Sequence, residues 1–431
     1  MTAAALPSSP LAIPDYRYFW IARFSAVLAT TAMVVVIGWQ LYDVARADYG
    51  MSVRDAAFML GLLGAVQFVP LALLTPVAGW VADRFERRLV ARLANGIDMS
   101  IAIALGIATA SDALTLPLLF GVAALHGVAR VFIGPAMSAI APNIVPPELL
   151  PRAIAMNSIA WQSASVAGPA LGGALYAIGA DLAYWVAAGF LLLAIVALTP
   201  VRRVVPPPIA GNAHPLRQMA DGLSYVKHHR FLLGAITLDL FAVLLGGATA
   251  LLPVFARDIL KVGPEGLGWL RAAPAMGAAV VALWFAWRPL HRNVGAKMLL
   301  AVAGFGAATI VFGLSESMLV SMAALILLGG LDMLSVYVRS SLVQLHTPDT
   351  MRGRVSAVSG LAISASNELG ELQSGIAAAL LGPVGAVVFG GAGAIAVTGL
   401  YAYYFPELRR ARTFDPPETA LPEAVMQEKP A

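Results

Sequence analysis

Apolar residues fall into twelve runs separated by short links that hold most of the charge. The runs lie at 18–42, 56–82, 89–110, 116–139, 153–178 and 182–198, then at 231–256, 266–287, 297–314, 318–338, 355–381 and 383–405. A helix needs about 20 apolar residues to cross about 30 Å of hydrocarbon. The pattern therefore predicts an all-α membrane protein with twelve transmembrane helices.

The basic residues alternate from link to link. One set of links carries Arg84, Arg87, Arg88 and Arg92; Arg152; Arg202, Arg203, Arg217, Lys227 and Arg230; Arg288, Arg292 and Lys297; and Arg339, Arg352 and Arg354. The intervening links hold only Arg46, Arg54, Arg257 and Lys261. Lys and Arg accumulate on the cytoplasmic side of membrane proteins, which sets the first group, and with it both termini, in the cytoplasm.

Composition agrees with this reading. Of 431 residues 59% are hydrophobic and only 12% are charged, and the mean hydropathy is +0.79, outside the soluble range. With no cysteine, disulfides, thiolate catalysis and cysteine-held metals are excluded. The basic residues are dispersed among loops, so the pI near 9.4 does not point to nucleic acid.

The runs divide into two halves, 18–198 and 231–405. Segment 1–17 is read as a cytoplasmic N-terminal segment; Met1 to Pro14 have no basic region ahead of an apolar core, so they read as a disordered start, not a cleaved signal peptide. Link 199–230 opens with Arg202-Arg203 and the run Pro206-Pro207-Pro208, which breaks helix. Leu216, Met219, Leu223 and Val226 then share one helical face opposite Arg217, Asp221 and Lys227. Such a helix can lie on the inner leaflet or pack against the bundle. Segment 406–431 is read as a disordered tail.

An internal repeat supports the division. With Ser138 set against Ser340, Pro146 meets Pro348, Arg152 meets Arg354, Ala155 meets Ala357, Gly168 meets Gly370 and Gly173 meets Gly375, without a gap. Runs four and five thus correspond to ten and eleven, and the halves are pseudo-symmetric sets of six helices.

The link after the second run reads Gly79-Trp-Val-Ala-Asp83-Arg84-Phe-Glu-Arg87-Arg88. Its Gly-x-x-x-Asp-Arg-x-x-Arg-Arg pattern resembles motif A of the major facilitator superfamily. That resemblance implies a cytoplasmic gate. Asp83 would cap or pair with a helix end of the other half and lock the outward-facing state, Arg84, Arg87 and Arg88 would brace it, and Gly79 would permit close approach. The equivalent link near Arg288 and Lys297 has no carboxylate matching Asp83, so the gate is expected to be asymmetric.

In the fifth run, Gly168-Pro169-Ala170-Leu171-Gly172-Gly173 resembles motif C of the superfamily's antiporters. The glycines are expected to pack against the other half, with Pro169 kinking the helix. The tract from Pro348 to Gly375, with Met-Arg-Gly-Arg-Val at 351–355 and Asn-Glu-Leu-Gly-Glu at 367–371, resembles the bacterial branch of enterobactin-exporter-like and macrolide-efflux-like proteins. The resemblance implies a monomeric multi-pass exporter of siderophore-like or drug-like small molecules in the bacterial inner membrane. It would exchange substrate for protons by alternating access between parallel six-helix repeats. Two other readings stay open: uptake or lysophospholipid transport on the same fold, and a non-transporting scaffold or sensor.

Charges inside the runs are the candidate machinery, because ionisable groups at membrane depth are costly and face a bundle interior or an aqueous cavity. Ser364, Asn367, Glu368, Glu371 and Ser374 share a face of run eleven. Two carboxylates one turn apart repel, which favours a proton on one of them, so Glu368 and Glu371 are the proton-coupling candidates, with Asp239 of run seven a third. His126 and Arg130, four residues apart, are cavity candidates along with Asp332, Gln40, Gln67 and Asn367. Arg130 can pair with an acidic substrate or with a buried carboxylate, Asp239 and Asp332 being possible partners; Asp332 can alternatively pair with Arg339 on its own face, and Asp98 is assigned a structural role. No phosphate-cradling Gly-x-x-x-x-Gly-Lys loop and no His-Glu-x-x-His helix occurs. Neither an enzyme nor a cofactor or metal is indicated; the expected partners are substrate, protons and membrane lipids.

Overall fold

Pro14 occupies the first turn of α1 (Pro14–Ala47), where its fixed φ suits a helix start. The computed structural model describes residues 9–204 and 215–414; segment 1–8, the triple-proline run and segment 415–431 lie outside the described residues. A short turn at Pro10–Ala12 precedes α1. Tyr16 is fully buried and its hydroxyl donates to the Ala153 carbonyl at 2.6 Å. Residues 9–14 are therefore ordered, contrary to expectation, because the aromatic start of α1 that follows them is packed and bonded.

The first half continues with α2 (Val53–Arg84), α3 (Arg87–Ala110), α4 (Leu116–Ile144), α5 (Leu150–Ile178) and α6 (Leu182–Leu198). After α7 (Pro215–His228), the second half contains α8 (Arg230–Leu245), α9 (Gly263–Trp287), α10 (Val294–Leu314), α11 (Met318–Leu345) and α12 (Asp349–Tyr404). At 1.5 Å per residue, the 56 residues of α12 would extend about 84 Å, far more than a bilayer. The chain doubles back at Gly382, whose φ of 76° and ψ of 164° interrupt the helix. Among the described residues nine helices are long and apolar enough to cross a membrane. The more polar α5, the 17-residue α6 and the second limb of α12 bring the crossings to twelve.

Two local features differ from the sequence expectation, and a third, the placement of α7, decides between two alternatives that the sequence left open. Run seven is not continuous: α8 stops at Gly246-Gly247 and resumes through a 3₁₀ turn, Ala248–Leu251, that leads to a π turn at Phe255–Ile259. A Cβ on Gly247 would sit 2.6 Å from the Gly370 carbonyl, so the break lets this segment close on α12. α7 packs on the second half: Val226 is buried with Val343 and Val355, Asp221 pairs with Arg354 at 3.2 Å, and Leu223 stays exposed. The start of the predicted tail is also ordered, with a helix at Pro406–Arg410. Asn293 N–H donates to the Arg412 carbonyl at 2.6 Å.

The repeat recurs in the packing. Gly168 lies against Leu28 and Thr31 of α1, and its counterpart Gly370 lies against Val243 and Leu244 of α8. Gly173 meets Gly268 of α9 across the halves, and its counterpart Gly375 meets Gly61 of α2. These small-residue contacts permit the backbone approach that joins helices where lipid is as apolar as the side chains. The motif expectation is corrected here: Gly168 and Gly172 pack on α1 of their own half, and Gly173 alone of the three touches the other half.

Candidate functional site

A cavity of about 770 Å³ lies between the halves, bounded by α1, α2, α4 and α5 on one side and α8, α9, α11 and α12 on the other. Its central contact joins them. Arg130 Nη1 of α4 donates to Glu368 Oε1 of α12 at 2.7 Å, with the arginine side chain 44% exposed and the carboxylate 6% exposed. Gln67 Oε1 lies 3.5 Å from the same nitrogen. Glu371, one turn beyond Glu368, has Arg271 Nη2 of α9 at 3.9 Å, and Arg271 also donates to the Thr249 carbonyl at 2.9 Å.

Gly64 allows α2 to cover this carboxylate pair. A Cβ there would lie 2.6 Å from Glu371 Cβ and 2.9 Å from the Glu368 carbonyl. One hydrogen-bonded pair and one further ion pair each stay within one half. His126 Nδ1 is 2.8 Å from Asp98 Oδ1, with both residues buried, and Arg339 of α11 pairs with Asp239 of α8.

The structure therefore gathers His126, Arg130, Asp239, Asp332, Gln67, Asn367, Glu368 and Glu371 around one space. It changes several partners. Arg130 takes Glu368, and Asp239 takes Arg339, which lies buried inside α11 and not in a link. Asp332 makes no hydrogen bond or ion pair among the described residues. Gln40 is not part of the cavity wall: its amide donates to Thr109 Oγ1 at 3.1 Å and its carbonyl accepts from the Tyr184 hydroxyl at 2.7 Å. It is a satisfied bond between helices of one half.

The Gly79 loop is braced within the first half. Arg84 stacks over Trp80 at 4.9 Å, Arg87 donates to the Ala139 carbonyl at 3.2 Å, and Arg88 binds the Thr199 and Val201 carbonyls and Glu86. A Cβ on Gly79 would meet nothing within 4 Å, so no close approach occurs there. The side chain of Asp83 lies outside the described part of the structure.

Further polar contacts between the halves lie at the opposite face. Tyr42 hydroxyl donates to Asp258, Arg257 Nη1 lies 2.6 Å from Asp43 Oδ1, and Gly38 approaches Pro253. The π turn carries Arg257 and Asp258 to this contact.

The sequence reading missed Arg23, Arg271 and the cavity position of Asp98. The signal was present, since each is a charge within an apolar run, but its orientation depends on helix rotation.

Two six-helix halves enclosing a charged cavity give the architecture of a transporter of the major facilitator type. The chain matches the family described as transmembrane secretion effectors over residues 5–429, and it belongs to that family. It is 26% identical over 410 residues to the enterobactin exporter EntS of Shigella boydii serotype 18, covering 94% of this chain and 95% of that protein. EntS of Escherichia coli O1:K1 shows the same identity and coverage. The fold is similar to that of a bacterial homologue of the human lysosomal transporter Spinster in an inward-facing, occupied conformation, with TM-score 0.71, 15% identity and coverage of 94% and 100% of the two chains. A POT peptide transporter in complex with sulfate has TM-score 0.70, 16% identity and coverage of 93% and 96%. The chain is thus a multi-pass membrane transporter and not an enzyme.

Proposed function

We propose that this transporter exports siderophore-like or drug-like small molecules by proton antiport and alternating access. The halves 18–198 and 231–405 rock about the cavity. The carrying observation is the Arg130–Glu368 pair, which joins the halves at the cavity and buries the carboxylate almost completely. A proton on Glu368 cancels the charge attraction to Arg130, so protonation weakens a bond between the moving parts. Glu371 and Asp239 are secondary proton positions. The basic Gly79 face is cytoplasmic in this reading, with both termini on that side of a bacterial inner membrane. The conformation is then closed outside and open inside. The exporter relatives support the direction of transport, and the working unit is a monomer.

The test uses inverted vesicles with a preformed proton gradient and a pH-sensitive dye. Siderophores, macrolides and cationic dyes are added in turn. Dissipation by one compound is expected with the native chain and is expected to disappear in Glu368→Gln, with insertion unchanged. No response to any compound, with correctly inserted protein, would overturn proton-coupled export and favour lipid transport or another coupling mode.

A further inference from the structure

Four contacts pair most of the cavity's ionisable groups: Arg130 with Glu368, Arg339 with Asp239, Arg271 with Glu371 and His126 with Asp98. Arg23 on α1 and Asp332 on α11 remain in the same cavity wall. The two residues are not alike. A carboxylate can discharge by taking a proton, whereas a guanidinium holds its charge at any working pH. No hydrogen bond or ion pair reaches Arg23 among the described residues, and its Nε is buried without a partner. Arg23 is half-buried and lines the cavity, so a permanent cation without a counter-ion faces the ligand space, and an anionic ligand group can pair with it.

The neighbouring helix supplies the rest of the surface. Trp20 Nε1 donates to the Met156 carbonyl at 2.9 Å, and Thr31 Oγ1 lies 3.3 Å from the Ala164 carbonyl. These contacts set α1 and α5 parallel, side by side. In that register Arg23 is within about one helical turn of Trp161, and Ser165 lies a further turn along the same face of α5. Trp161 lines the cavity and is 48% exposed. Ser165 also lines it, and its hydroxyl is buried with no hydrogen-bond partner. Gln162 between them is already engaged, donating to the Ala275 carbonyl at 2.6 Å.

We infer that Arg23, Trp161 and Ser165 form a subsite for an anionic aromatic group. The guanidinium binds the carboxylate or phenolate, the indole stacks on the ring, and the serine hydroxyl bonds a ring substituent. This names the substrate class of the cavity and rests on the transport reading above.

Binding to the full chain in nanodiscs tests the subsite without requiring transport. The probes are 2-naphthoate and its uncharged twin, 2-naphthamide. The native protein binds the naphthoate more tightly. Arg23→Gln lowers naphthoate affinity by about 10- to 100-fold, the range of a charge-assisted hydrogen bond, and leaves the amide unchanged. Arg23→Lys retains part of the preference, and Trp161→Leu weakens both probes.

Equal loss of both probes in Arg23→Gln, or no preference in the native chain, overturns the subsite. So does a normal naphthoate preference in the double variant Arg23→Asp/Asp332→Arg, which would make Asp332 the arginine's partner. The two proposals separate cleanly. Arg23-dependent naphthoate binding without coupled efflux removes the antiport reading alone. Coupled efflux of a cationic dye without that preference removes the subsite alone.

Discussion

Asp239 and Arg339, 4% and 2% exposed, show how a buried pair constrains its own residues. Removing both from water is expensive, and their attraction offsets that cost only while both are present. Asp239→Ala should therefore destabilise the protein by about 3–5 kcal/mol, because it strands an arginine that cannot discharge. The double replacement Asp239→Leu/Arg339→Leu should cost less than either single change. Thermal unfolding in a fixed detergent measures this, and a double variant less stable than both singles would refute the argument. These residues also mark the limit of what the sequence carries. Charges embedded in apolar runs identified the groups of interest, because depth in a membrane is a property of sequence position. Their partners were not legible: Arg130 had Asp239 and Asp332 as candidates, yet it meets Glu368, and Gln40 turned inward to Thr109 and Tyr184. The rotation of each helix about its axis decides such pairings, and that rotation is set by the other helices.

The helices themselves were far more legible, because an apolar run bounded by charge is a local property. The split of α12 is an example, with run eleven predicted to end at 381 and run twelve to begin at 383, either side of Gly382. Its φ of 76° and ψ of 164° belong to a region open essentially only to glycine. Gly382→Ala should therefore cost about 1–3 kcal/mol, read as a lower melting temperature, while alanine at exposed Gly399, where a Cβ meets nothing within 4 Å, should be neutral or better. Equal effects at both positions would contradict the strain argument. The break in α8 was not legible, since Gly246-Gly247 within an apolar run also fits an unbroken helix. What distinguishes it is distant in sequence: Phe305 crowds Gly246 and the Gly370 carbonyl crowds Gly247. α7 was legible as amphipathic but not as docked, because a helix face does not state whether lipid or protein covers it. The buried Val226 and the Asp221–Arg354 pair decide that question.

At the scale of the molecule the repeat was readable because six pairs of matched residues keep one spacing, and the glycine contacts of α5 and α12 follow it. The symmetry stops at the two faces of the membrane. Tyr42, Asp43, Arg257 and Asp258 latch the halves at one face, while the braces of the Gly79 loop stay within the first half at the other. Alternating access requires the latch to part once per cycle. The chain has no cysteine, so Asp43→Cys/Arg257→Cys would carry the only two thiols. A short bifunctional maleimide should join them in the latched state. The linked protein should still bind ligand through the Gly79 face but should not turn over, whereas each single-cysteine variant, treated alike, should keep transporting. Full linkage with undiminished transport would show that this face never needs to open, and rocking between the halves would then have to be abandoned. Arrest of transport with binding retained would separate a locked molecule from an unfolded one, and would place the moving boundary along the contacts of α1 with the segment after α8.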